Sequence, residues 1–289
     1  MKKGRKYELT DETVNEDGHV LHRIRALRDV ADYARKGNVG GYVESDANLS
    51  HGGNSWVFND ARVYGHAHVV GNAAVSDYSR VYGEAYVCEE SYINGFARVH
   101  GHASVKGHAN VYGESEVYDD AKICGLARIS GKARVFGNAR ITDHALVFGN
   151  ARVYGKAFVT DNAQISGRAS VCDDTYIYGF GAVCGNAFIG GNASITGSGD
   201  TCFGSDAVVM GNDDYMMFNN IWSSKRRFIC FKTASGILKW SAGCFLGTGE
   251  ALIEAAYEKS KLSGDCYKKV VEMAEDMFRR VREEESNGR

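Results

Sequence analysis

The sequence predicts a mainly β fold, a solenoid of stacked coils covered at both ends. From Val57 to Ile195 every sixth residue is Val or Ile, 24 of them in unbroken register. Two places before each sits a small residue, usually Ala (Ala61, Ala67, Ala73, then Ser79, Ala85). Two places after each comes usually Gly or Asp (Gly65, Gly71, Asp77, Gly83). A unit this short buries no apolar face alone, so the units must coil and stack.

Residues 1–54 read as an N-terminal capping segment. Two alternating runs, Tyr7–Thr10 and His19–Leu27, flank the turn-like Asn15–Gly18 and predict a short hairpin. An imperfect first beat appears at Val43 and Leu49, and the spacing of eight from Leu49 to Val57 marks a two-residue insertion. Solenoid ends expose unpaired strand edges, and this segment is expected to cover one of them.

Residues 55–210 are the solenoid. Side chains alternate along a strand, so the small and aliphatic residues of each unit point inward and the neighbours of the aliphatic point outward. The Gly or Asp and its follower turn the corner. Three hexads close a triangle of 18 residues, so the 24 hexads make eight coils. At ~4.8 Å per layer the prism is roughly 38 Å long. Each buried Val or Ile contributes about 1.5–3 kcal/mol.

Beyond Gly197 the beat fails, with Thr201 and Ala207 at the expected aliphatic places, and 211–225 reads as a linker. Within the C-terminal module, 211–289, Phe228–Thr233 and Ile237–Leu246 flank the hairpin signal Ser235-Gly236. Two helices are expected, near Gly249–Lys259 and Asp265–Glu284, with Thr248 and Asp265 as N-caps.

The repeat resembles that of the hexapeptide-repeat, left-handed parallel β-helix proteins, and the resemblance covers about half of the chain. Left-handedness is what the resemblance implies. The residue after the aliphatic is often aromatic here (Tyr64, Tyr82, Tyr112, Phe136), and Gly comes one place later. That style, with the lead-in GGYVESDANLS, looks like bacterial and phage proteins of this architecture often labelled putative transferases. The WSAGCFLGT segment resembles tail modules of the phage-type relatives.

Composition narrows the function. The formal net charge of −2 excludes a generic polyanion binder, so any basic footprint must be local. Proline is absent, which leaves backbone donors free for stacking. The eight cysteines show no CxxC pair. Cys88 and Cys124 would lie two coils apart, roughly 9–10 Å, beyond disulfide reach. Free thiols in a reducing cytosol are therefore expected, with no structural zinc or other cofactor. The start, MKKGRKYELTDET, lacks the apolar run of a signal peptide, and no stretch is long enough to span a membrane. A cytoplasmic protein is expected.

An enzyme of the hexapeptide class would be an acyltransferase with a histidine as general base, commonly beside a loop that bulges from the prism. Corner histidines exist (His66, His102, His108, His144), with His100 facing outward, but no insertion interrupts 57–197 to wall a cleft. No Ser-His-Asp, Walker or HExxH spacing is present. A non-catalytic protein is the primary expectation.

Stacking outward residues every 18 positions gives a sharper signal. One column reads Arg62, Arg80, Arg98, Glu116, Arg134, Arg152, Ser170, Phe188. The column two residues on reads Tyr64, Tyr82, His100, Tyr118, Phe136, Tyr154. Both fall on one side of the triangle, giving an arginine ladder beside an aromatic ladder. Such a side is a solvated face, a protein-binding face, or a site for nucleic acid or another polyanion. On the last helix, Tyr267, Val270, Ala274, Met277 and Val281 form an a/d-type seam. It packs on the module's own hairpin or forms a homo-oligomer contact. The expectation is a rigid binding protein for a protein partner, with polyanion binding and acyl transfer as the alternatives; the resemblance implies a phage-encoded protein engaging a host defence component.

Overall fold

The computed structural model describes residues 4–286. It is a mainly β molecule: a parallel β-solenoid of about nine turns, then an antiparallel sheet and two helices. Each rung is a two-residue strand such as Arg80–Val81, paired in parallel with the strand eighteen residues later, Arg80 with Arg98 and Val81 with Val99. The ladder is closed by bonds such as Arg80 N–H to Ala97 O at 2.9 Å and Tyr82 N–H to Val99 O at 3.0 Å. The inward Ala and Val or Ile of the repeats are fully buried.

The corners explain the Gly/Asp alternation. They have left-handed backbone, with φ of 65° at Gly101 and 54° at Asp119. A Cβ at Gly101 would come 2.8 Å from the Asp119 backbone nitrogen, so a side chain there is doubly resisted. Where an acid takes the place, its carboxylate accepts the corner N–H of the next coil, as Asp77 does from Gly95 (3.0 Å) and Asp161 from Gly179 (2.8 Å). Where Ser replaces the inward Ala, its hydroxyl donates to a carbonyl three residues back, as in Ser79 to Ser76 O at 2.6 Å. The buried polar group is thereby satisfied.

At the N-terminal end, β1 (Tyr7–Glu16) and β2 (His19–Ala26) form a longer hairpin than the two short runs predict. Asp17 and Gly18, at φ of 51° and 86°, make its tight turn. β2 pairs antiparallel with β3 (Val39–Val43), and β3 pairs in parallel with the rung Arg62–Val63. The solenoid thus begins before residue 55, its first coil lengthened by the two-residue insertion. Lys6 and Tyr7 plug this end: Lys6 is fully buried and its Nζ donates to Ser55 O at 2.6 Å. Burial, and then the charge of Arg28, pushes its pKa from 10.5 down to about 8.

At the other end the beat does not stop at Gly197. β4 (Tyr176–Val183) pairs with β5 (Ser194–Phe203), and the register shifts after Phe180, so that Val183 faces Phe203. Two extra residues lie in β5. Phe203 and Val209 therefore fill the core places that a strict count gives to Thr201 and Ala207, which adds two of the three sides of a further coil. The expectation of free thiols is also corrected, because Cys184 and Cys202 form a disulfide between successive coils with Cα atoms 6.5 Å apart. The coil here holds 20 residues, so Cys202 stands opposite Ala182 and the bridge runs diagonally to Cys184, within bridging reach. The remaining six cysteines are free.

The supposed linker contains β6 (Tyr215–Asn219), which pairs with β7 (Arg227–Lys232). β8 (Leu238–Ala242) and β9 (Phe245–Gly247) complete the sheet; they replace the single strand expected over 237–246, which turns at Gly243. β7 is buried on both sides by alternation. Ile229 and Phe231 join the solenoid core, where Phe203 lies 5.6 Å from Phe231. Phe228 and Cys230 face α1 (Gly249–Lys259) and α2 (Lys261–Ser286). Thr248 caps α1, accepting from Ala251 N–H. Asp265 does not cap α2, which starts four residues earlier with Ser260 accepting from Ser263 N–H; Asp265 instead accepts from the Tyr257 hydroxyl at 2.7 Å.

Lys6 gives the N-terminal plug a pH signature. Between pH 8 and 10 the unfolded chain keeps the Lys6 proton and the folded chain sheds it, so the Lys6 contribution to stability rises with pH. Buried groups pull the other way: burial pushes up the thiols of Cys88, Cys124, Cys172 and Cys230 and the hydroxyl of Tyr7, and the folded chain keeps those protons longer than the unfolded chain. The Lys6 signature is therefore a difference: between about pH 7.5 and about pH 9.5 the thermal midpoint of the native chain should rise relative to that of Lys6→Met. A difference that is constant or shrinks across that range would contradict this assignment.

Candidate binding face

The register puts both columns where the sequence places them. Arg62, Arg80, Arg98, Glu116, Arg134 and Arg152 are consecutive partners on one sheet. Beside them Tyr64, Tyr82, His100, Tyr118, Phe136 and Tyr154 form an unbroken stack. Successive ring centroids lie 5.1, 4.6, 5.1, 4.9 and 5.0 Å apart, with interplanar angles of 3–7°. These are strand spacings: the backbone sets the stack and the rings occupy it.

Two glutamates relieve the repulsion in the arginine column. Glu16, at the end of β1, is buried and forms ion pairs with Arg62 and, at 2.9 Å, with Arg80. Glu116 takes Arg134 through Nε at 2.9 Å and Nη2 at 2.6 Å, with His100 at 3.3 Å and Arg98 at 3.8 Å. Burial alone would raise the Glu116 carboxyl, but the hydrogen bond and charge of Arg134, then those of His100, hold it below the usual carboxylate range. Arg152 is exposed and, among the described residues, forms no ion pair.

The hairpin also closes the head of the aromatic stack. Tyr64 is buried; its hydroxyl donates to Asp17 Oδ2 at 2.9 Å, and His19 lies against its ring. Burial raises the hydroxyl pKa of Tyr64, Tyr82 and Tyr118, and with Cys172 it lifts that of Tyr154 to about 12. None of these four tyrosines is an acid or base near neutral pH. What remains open to a partner begins at Arg80.

Two residues outside the predicted set dominate that open region. Tyr78 and Phe96 are 57% and 61% exposed and stack at 5.3 Å with an interplanar angle of 8°. With Asp60, Arg62, Arg80 and Arg98 they line a shallow groove of about 220 Å³. They precede Arg80 and Arg98 by two residues, so a third column read beside the arginines reveals them.

His66, His102, His108 and His144 are all exposed. His102 lies between Glu84 (3.3 Å) and Asp120 (3.6 Å), and His108 is 3.0 Å from Glu90. Among the described residues, no three His, Cys, Asp or Glu side chains converge on a metal-binding point. Among the described residues, no helix is long and apolar enough to cross a membrane.

The helical seam divides. Tyr267 and Ala274, with Val271 and Phe278, are buried against Phe228, Cys230 and Trp240, and Val270 packs at their edge. Met277 and Val281 stay 47% and 37% exposed. The chain matches no protein-family model and no curated protein.

Glu116→Gln should unpair Arg98 and Arg134, lower stability at neutral pH by about 1 kcal/mol, and abolish the loss of stability that Glu116 protonation causes in acid. Its retention on heparin should exceed that of the native protein. Unchanged retention would show that Glu116 does not restrain the column.

Proposed function

We propose that this chain is a rigid, non-catalytic binding protein of the left-handed hexapeptide-repeat class. It engages a protein partner through its arginine–aromatic face, with the C-terminal module as a second contact. The observation that carries this reading is the exposed Tyr78–Phe96 pair beside Arg80 and Arg98. Aromatic residues and Arg are enriched at interface hot spots, and here the continuous ladder pre-orders them, which lowers the entropy lost on docking. A flat, shallow groove suits a protein surface better than a small molecule.

The ion pairs favour protein over polyanion. Arg62, Arg80, Arg98 and Arg134 already face carboxylates, so a phosphate backbone would meet a largely neutralised column. The resemblance to phage-type relatives supports a bacterial host protein in the cytoplasm, such as a defence component, as the partner. The Met277–Val281 edge of α2 is the surface for self-association. One arrangement favours acyl transfer as a second reading: His102 between two carboxylates resembles a base with its orienting groups. Acetyl-coenzyme A binding by calorimetry, lost in His102→Ala, would support it.

The primary reading is tested by affinity capture from bacterial lysate with the native chain and with a Phe96→Ser, Arg98→Glu variant. A partner should be recovered by the native chain and bind the variant at least about tenfold more weakly, as for a hot spot of about 2 kcal/mol. Equal recovery by both would move the contact off this face.

A further inference from the structure

A second side of the prism carries a notch that the repeat pattern does not require. Its outward column runs Trp56, Ala74, Tyr92, Asn110 in parallel register. The column two residues on runs Phe58, Ser76, Asn94, Tyr112. In one coil both members are small, Ala74 and Ser76, while large side chains stand in the coils before and after. The face is therefore hollow at this level.

Aromatic rings wall the hollow. Tyr33, from the loop between β2 and β3, donates its hydroxyl to Asn72 O at 3.2 Å and meets Phe58 edge-on at 5.4 Å. Tyr92 reaches the Ser76 hydroxyl at 2.9 Å. Tyr33, Phe58 and Tyr92, over a floor of Ala74 and Ser76, enclose a cleft of about 370 Å³. Its rim carries Asp77 and Glu90, and no Lys or Arg lines it. Asn59 (3.2 Å) and Gly95 N–H (3.0 Å) hold the Asp77 carboxylate in place, and His108 lies 3.0 Å from Glu90.

We propose that this notch binds an organic cation, an alkylammonium or guanidinium group. Aromatic rings present negative faces to a cation, and the two carboxylates add charge of the same sign. An anion is repelled. A neutral apolar group gains the rings but forfeits the carboxylates. A bare metal ion finds too few oxygen ligands, because the walls are carbon. The volume, at the small end of ligand sites, fits a head group or one side chain. The site lies around the Asp77 corner from the arginine groove and does not rest on the protein-binding reading.

The test is NMR titration of the labelled full-length chain with tetramethylammonium and with argininamide at constant ionic strength. Tert-butanol serves as the neutral isostere. Amide signals of residues 74–77 and 90–92 should shift saturably with at least one cation, and tert-butanol should bind at least about tenfold more weakly. Tyr33→Ala, on a surface loop, and Glu90→Gln should each weaken cation binding about three- to fivefold. Preference for tetramethylammonium indicates a free quaternary amine, and preference for argininamide indicates a side chain of another protein. No saturable shift with either cation, equal affinity for tert-butanol, or unchanged affinity in both variants would overturn the proposal.

Discussion

The vertical backbone ladder governs everything outward in this molecule. Each rung donates to a carbonyl seventeen residues on, as Arg98 N–H does to Ser115 O, so a side chain stands over the one eighteen residues earlier. Strand spacing and aromatic stacking distance nearly coincide, so rings in one column have no arrangement available except a stack. Charges in one column have no arrangement except mutual repulsion. The paired columns of this chain exhibit both consequences, and Glu16 and Glu116 are the response to the second.

That response ties the cap to the face. A parallel solenoid leaves open edges, and here β2 and β3 close one of them while Lys6 and Tyr7 fill the end of the prism. The same hairpin delivers Glu16 to two arginines and Asp17 to the first tyrosine of the stack. Loss of the hairpin would therefore expose a strand edge, unpair Arg62 and Arg80, and uncover Tyr64 together. At the opposite end β7 does two jobs through simple alternation, with Ile229 and Phe231 sealing the solenoid while Phe228 and Cys230 seat the helices. The sheet is the joint between two cores.

Legibility followed sequence distance. The core was readable because Val, Ala and Gly recur at fixed short intervals, and the columns were readable because eighteen follows from three hexads. Thr248 and the limits of α1 were readable because capping is local. Glu16 was not, because its pairing with Arg62 depends on where a hairpin folds back across 46 residues. The two extra rungs hid behind two inserted residues: a strict count lands on Thr201, while the backbone absorbs the excess in β5 and gives Phe203 the core place. Cys184 and Cys202 are eighteen residues apart, but the two residues inserted in β5 put Cys202 opposite Ala182, so their bridge depends on an irregular register that a fixed count of eighteen does not describe. β6 lacked a clear apolar alternation, and its place is set by pairing with β7.

Departures from a column's own pattern are therefore the informative positions. The fold requires small and aliphatic residues inside and left-handed corners between sides; it asks nothing of the outward places beyond tolerance of their vertical neighbours. Glu116 among arginines is explained by those neighbours, since it pairs with residues above and below it. Tyr78 and Phe96 are not so explained: they stack on each other and stay largely exposed, where the coils on either side place Asp60 and Glu114. Ala74 and Ser76 are not explained either, because larger side chains occupy the same columns in adjacent coils without distorting the ladder. Residues that the backbone neither demands nor forbids, and that leave apolar surface or a hollow open to water, mark where this rigid frame meets something else.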